Sequence, residues 1–198
     1  MLFVDGENLT FEAQKVAQIK LKESPYYSKD TFVWMPNRLA TENLLTPESR
    51  DPSMPEHTAP IREPNVPLQA HAIRAHYYTS VSGSREQVNS IKNSLWDIGF
   101  TPHVFWKQKN TKSKGVDIAL STDLLSDAYR DNYDAAVLCA GDGDYVPLVE
   151  EVKRIGKVVY LLFFEGTPLN ENLMYSSDTF HAKFGKIFAE AWKYYTPG

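Results

Sequence analysis

The stretch AAVLCAGDGDYVPL, Ala135 to Leu148, decides how this chain is read. Ala135–Ala140 is an apolar run of strand length, Gly141 ends it, and Asp142 and Asp144 follow in a glycine-flanked turn. Tyr145, Leu148, Val149, Val152 and Ile155 then recur at helical spacing, with Gly156 as a suitable stop. This predicts a buried strand, an acidic turn and a helix over Tyr145–Ile155. In a parallel α/β sheet the carboxyl ends of such strands converge on one edge, where ligand sites form.

Working outward, Leu2–Val4 is a shorter apolar run that ends in Asp5-Gly6, and a helix is expected from Asn8 through Phe11, Val16, Ile19 and Leu21. Thr31–Met35 suggests a minor strand and Ala72–Thr79 a longer one. Ser84 and Gln87 form a capping-box pattern ahead of a helix with Val88, Ile91, Leu95 and Ile98 on one face, ending at Gly99. Thr101–Trp106 is expected as a strand, Val116–Tyr129 as a helix and Lys157–Phe164 as a strand covered on both faces. Asp178–Trp192 is expected as a closing helix with Phe180, Phe184, Ile187, Phe188 and Ala191 inward. Strands alternating with helices imply right-handed crossovers. The expected fold is therefore α/β: a three-layer α/β/α, Rossmann-like domain with a mostly parallel sheet. One domain over 1–198 is expected, interrupted at about 36–67 by an irregular insertion punctuated by Pro36, Pro47, Pro52, Pro55, Pro60, Pro64 and Pro67.

Bulk properties narrow the function. The 198 residues carry a formal net charge of −4, which argues against a wholesale basic surface for duplex DNA, although acidic ligands can mask a local basic patch. Cys139 is the single cysteine, so no disulfide forms within the chain and a reducing compartment is the simpler setting. No apolar stretch approaches the ~20 residues of a membrane span, and Met1–Val4 runs into Asp5 without a basic leader. The expectation is a cytoplasmic protein without membrane contact.

Asp5, Asp117, Asp142 and Asp144 each adjoin a strand end or open a helix, and no evident nucleophile accompanies them. Carboxylates of this kind suit a hard divalent cation used for phosphate chemistry. Each also has a plainer reading. Gly6 relaxes a strand-to-helix turn in Asp5–Asn8 while Asn8 caps the helix, and Asp144 caps a helix or faces its positive end. The run KQKNTKSK holds Lys107, Lys109, Lys112 and Lys114; it is either a solvated loop or a cationic rim for a phosphate backbone. His57, His71, His76, His103 and His181 share no ligand spacing and read as structural. Tyr77, Tyr78, Phe105 and Trp106 sit in strands, where core is the usual role and base stacking by an exposed member has no support from sequence. The motifs GxSxG, GxGxxG and the Walker lysine loop are all absent.

Taken in order, FVDGEN, KGVDIALSTDLL, LCAGDGDYVPLVEEVKRIGK and NLMYSSDTF resemble the NYN domain, in particular its LabA-like branch. The resemblance spans most of the chain outside the proline-rich insertion. It implies a PIN-like fold and a metal-dependent ribonuclease using Mg²⁺ or Mn²⁺. By motif, it implies that Asp5, Asp117 and Asp142 hold the metal and that Asp144 adds a ligand or positions water. Asn8 would bond a carboxylate or the scissile phosphate, and Lys114, with Lys112 beside it, would contact the substrate. Asp123 also falls on an acidic family position but lies about 240° round the helix from Asp117. Ala140 and Ser177 depart from the pattern, which has serine or threonine and alanine there. The expected activity is a metal-dependent endoribonuclease acting on single-stranded or structured RNA, and a homo-oligomer is compatible with the sequence. A non-catalytic RNA-binding adaptor and a metal-dependent phosphatase or small-nucleotide hydrolase are the alternatives.

Overall fold

The structure, a computed structural model, describes residues 1–12, 74–97, 99–108, 115–163 and 169–181, the last three by backbone alone. Among the described residues, six strands form one sheet: β1 Leu2–Asp5, β2 Ala75–Val81, β3 Thr101–Trp106, β4 Ala135–Cys139, β5 Val158–Leu162 and β6 Thr179–His181. Their order is β3-β2-β1-β4-β5-β6, and every pairing is parallel. Helices are α1 (residues 6–12), α2 Arg85–Asp97, α3 Gly115–Tyr129, α4 Val146–Arg154 and α5 Glu171–Ser176, with a 3₁₀ turn at Gly143–Tyr145. This is the expected Rossmann-like arrangement of helices around a parallel sheet.

Local sequence explains most of these boundaries. Ser84 N–H donates to Gln87 Oε1 at 2.8 Å and Gln87 N–H to Ser84 Oγ at 3.4 Å, closing the capping box that opens α2. Pro147 lies in the first turn of α4, where its missing N–H costs no helical bond, and Gly156 ends the helix with φ of 92°.

The two sheet faces bury different sets. Phe3, Tyr78, Leu138 and Leu161 pack with Val116, Leu120 and Leu124 of α3 and Val149 and Val152 of α4. Each such side chain contributes about 1.5–3 kcal/mol by leaving water. Outside that cluster, Tyr77 meets Phe100 edge-to-face at 5.6 Å, and Leu95 is the buried residue of α2. On the α3 face, His76 Nδ1 and His103 Nε2 lie 3.1 Å apart, and His103 stacks on Tyr78 at 4.2 Å. These two histidines are built into the sheet, in keeping with a structural role.

The expected closing helix from Asp178 is corrected at its start. Residues Thr179–His181 are β6, paired with Tyr160–Leu162. Asp178 N–H donates to Val159 O at 2.9 Å, Asp178 Oδ2 accepts from Val159 N–H at 2.8 Å, and Lys153 Nζ sits 3.2 Å from Asp178 Oδ1. The open edge of β5 offers ladder partners that a helix beginning there would leave unmet. The minor strand Thr31–Met35, the insertion at 36–67, the later part of the first helix, residues 182–192 of the expected closing helix and Lys109, Lys112 and Lys114 lie outside the described residues.

Gly6 tests how closely α1 seats on the sheet. A Cβ there would meet the Tyr77 ring and come within 2.8 Å of the Tyr78 carbonyl oxygen, a backbone atom that cannot swing away. Gly6→Ala is expected to lower stability by about 1–3 kcal/mol in urea denaturation. An unchanged midpoint would mean that α1 packs less closely.

Candidate metal centre at the switch point of the sheet

The chain leaves β1 toward β2 on one side and returns to pair β4 on the other, so the carboxyl ends of β1 and β4 flank the reversal of strand order. Crevices open at such a point, and the aspartates are found there. Asp5 is the last residue of β1, Asp142 follows β4, and Asp117 lies in the first turn of α3.

Asp5 and Asp142 are both helix caps. Asp5 Oδ1 accepts from Asn8 N–H at 3.0 Å at the start of α1, and Asp142 Oδ1 accepts from Asp144 N–H at 3.1 Å at the 3₁₀ turn. The cap of α1 is thus Asp5 rather than Asn8, and Asp142 rather than Asp144 caps the turn. Asn8 joins the two strand ends differently: its side-chain Oδ1 accepts from Gly141 N–H at 2.9 Å. It reaches Asp5 through its backbone.

Tyr145, read from sequence only as an inward helical residue, is the centre of the site. Its hydroxyl lies 2.8 Å from Asp5 Oδ2 and 3.3 Å from Asp117 Oδ1. Asp5 is 3% exposed, whereas Asp117, Asp142 and Asp144 reach solvent. Burial pushes the Asp5 carboxyl up to about 7, against an opposing pull from the Asn8 N–H and the Tyr145 hydroxyl. The charges of Asp117 and Glu7 add to the rise. Asp117 is also raised, first by burial and then by Asp142 and Asp144, while Tyr145 lowers it. One hydroxyl proton cannot serve two ionised carboxylates. With a proton on Asp5, that acid donates to Tyr145, which donates to Asp117, and all three oxygens are satisfied.

Glu7 extends the edge toward β3. It accepts from Ser80 Oγ, and Lys107 Nζ lies 3.0 Å from Glu7 Oε1. On the other side, an open cleft of about 690 Å³ is lined by Asp142, Asp144, Glu150, Asn170 and Tyr175 among others. Asn170 ties this wall to the centre, since its N–H donates to Gly141 O at 3.1 Å and its side chain caps α5. Asp123 stays apart from the centre and accepts from Tyr78 at 2.9 Å.

The donor set fits a divalent ion in a limited way. Among the described residues, no three His, Cys, Asp or Glu side chains are grouped closely enough to hold one ion. Asp5 and Asp117 meet on the Tyr145 hydroxyl, and Asp142, which caps the 3₁₀ turn through Oδ1, is near enough to Asp117 for its charge to raise that carboxyl. Mg²⁺ takes one or two carboxylates and keeps water in its other positions, so Asp5 and Asp117 suffice for it chemically.

Residues 1–184 match the NYN domain family. The chain belongs to the NYN domain family. NYN domains are PIN-like domains of the nuclease type, and the six-stranded parallel sheet of this one accords with that fold. A protein of unknown function from Vibrio parahaemolyticus RIMD 2210633 has a similar solved structure, with TM-score 0.52 and 18% identity over 90% of this chain and 88% of the other. That likeness concerns the fold alone. Comparison with curated proteins gave no match. Among the described residues, no helix of this NYN domain is long and apolar enough to cross a membrane.

Two expectations follow for the centre. The folded chain holds the Asp5 proton more tightly than the unfolded chain, whose carboxyl keeps the ordinary value of 3.8. Metal-free stability should therefore decline as pH rises from about 4 to about 7, by a few kcal/mol from this group. Asp5→Asn should flatten that slope in denaturant titrations run with chelator, and an unchanged slope would contradict the raised carboxyl. Tyr145→Phe leaves the buried carboxylate without its hydroxyl donor and should cost about 1–3 kcal/mol at pH 8, and less at pH 5, where Asp5 is neutral.

Proposed function

We propose that this NYN domain is a metal-dependent endoribonuclease that hydrolyses RNA phosphodiester bonds at the carboxyl edge of its sheet. The observation that carries this reading is the Asp5–Tyr145–Asp117 arrangement at the switch point. It is a pair of carboxylates raised first by burial and then by neighbouring acids, Asp117 and Glu7 acting on Asp5 and Asp142 and Asp144 acting on Asp117. A divalent cation is a partner that suits such a pair.

Asp5 and Asp117 would hold Mg²⁺ or Mn²⁺, with Asp142 facing the same edge from the adjoining turn. The chemistry supplied by such an ion is water activation and neutralisation of charge on the phosphate. The chain's own residues do the rest. Tyr145 orients both carboxylates, Asn8 locks the ends of β1 and β4 together, and Asp144 stands next to Asp142 to position water. Lys112 and Lys114, just ahead of α3 in sequence, would give the phosphate backbone mobile positive charge. The setting proposed is the cytoplasm, with RNA as partner and a homo-oligomer compatible with the chain.

A second reading, a non-catalytic RNA-binding adaptor, draws on the absence of a three-carboxylate group among the described residues. Cleavage separates the two. Asp117→Asn and Asp142→Asn are close to isosteric, and asparagine caps a helix about as well as aspartate, so both variants should fold. Each is expected to lower the Mg²⁺-dependent cleavage of a mixed RNA pool by at least about a hundredfold, with chelator abolishing it. Wild-type rates in both variants would remove the metal-site assignment. Metal-independent binding with no cleavage by the wild-type protein would favour the adaptor.

A further inference from the structure

Trp106 ends β3 at the outer strand of the described sheet and is 60% exposed. Its strand neighbours behave differently. Phe105 packs against the α3-side core, and the strand-borne Tyr77 and Tyr78 are fully buried. By spacing alone all four read as core; the structure singles out one.

Strand alternation turns Trp106 to the face opposite Phe105. There the indole Nε1–H donates to Gly83 O at 3.0 Å, in the connection between β2 and α2. The polar atom of the ring is thus committed, and the ring is held in one place while its surface stays open to solvent. An aromatic platform that is already oriented loses little freedom when a flat ligand stacks on it.

Its position relates it to the metal centre. Trp106 pairs with Val81, three residues beyond Tyr78, which pairs with Asp5. With strands about 4.8 Å apart and a rise of about 3.3 Å per residue, Trp106 lies on the order of 14 Å from the end of β1, on the same edge. A base resting on it belongs to a nucleotide other than the one being cleaved. The ground between is occupied by Glu7, whose charge is balanced by Lys107. That ion pair replaces what would otherwise be a repulsive carboxylate beneath a phosphate backbone.

We propose that Trp106 is a base-stacking subsite for single-stranded RNA threaded along the carboxyl edge toward the aspartate centre. Building on the nuclease reading, it names the form of substrate: an unpaired strand, because paired bases keep their faces covered by their neighbours in the duplex.

Trp96 provides an internal control. It is 68% exposed but lies in the last turn of α2, at the opposite edge of the sheet. The test measures binding of a fluorescently labelled single-stranded oligoribonucleotide by anisotropy, with the full chain carrying Asp142→Asn in Mg²⁺ and again in chelator. Trp106→Ala is expected to weaken binding roughly ten- to hundredfold, Trp106→Phe to restore most of it, and Trp96→Ala to leave it unchanged. A blunt RNA duplex should show no dependence on Trp106. Equal binding by Trp106→Ala, equal loss from Trp96→Ala, failure of the parent chain to bind the single strand, or a change of oligomeric state in place of RNA binding would each overturn the proposal. Cleavage is scored separately. Trp106-dependent binding without cleavage by the wild-type protein rejects the nuclease reading and keeps this one, and cleavage indifferent to Trp106 does the reverse.

Discussion

A single phenolic hydroxyl holds two carboxylates at the switch point of the sheet, and the site is organised around that contact. Tyr145 meets Asp5 from β1 and Asp117 from α3 while belonging itself to the turn after β4. Three separate parts of the chain therefore converge on one oxygen. Burying Asp5 there works against stability once the acid ionises, since desolvation disfavours the charged form more than two hydrogen bonds favour it. The fold sustains this because Phe3, Val4 and Leu138 around the strand ends are fully buried and hold the backbone in register.

A buried acid raised toward neutrality is the kind of feature that marks functional sites. Here burial, nearby carboxylates and the limit of one proton per hydroxyl all act in the same direction. A cation would relieve the repulsion and compete with the proton, which couples occupancy of the centre to pH. Structural connections carry this centre outward. Asn8 bonds Gly141, Asn170 bonds the same glycine's carbonyl, and Glu7 reaches Lys107 beyond β2. A substitution at the edge of the cleft is thereby linked to the aspartates through the backbone of residue 141.

Much of the fold was legible because apolar periodicity tracks burial. Ala135–Cys139 and Val158–Leu162 fall inside their expected strands, and Thr101–Trp106 coincides with β3. Asp178 shows where that reading stops. The first residues of a stretch patterned for a helix form β6 instead, because an edge strand's unmet hydrogen bonds act across space and leave no trace in local spacing. The aspartates were found as residues but not as an arrangement. Tyr145 looked like a core side chain, and nothing in its neighbours foretold that its hydroxyl would stand between two acids. Trp106 was misjudged for a related reason: strand residues alternate faces, and which face is covered depends on where the helices pack.

The sequence by itself determined the alternation of strands and helices, the parallel sheet and the acids placed at its strand ends, because these depend on residue spacing along the chain. Tertiary structure alone decided that Asp5 is buried and Asp117 exposed, that one tyrosine joins them, and that Asp142 is engaged as a cap beside them. Those outcomes rest on distances between residues as many as 140 positions apart, such as Tyr145 and Asp5. Desolvation and hydrogen-bond geometry act through space, so packing rather than order along the chain sets them.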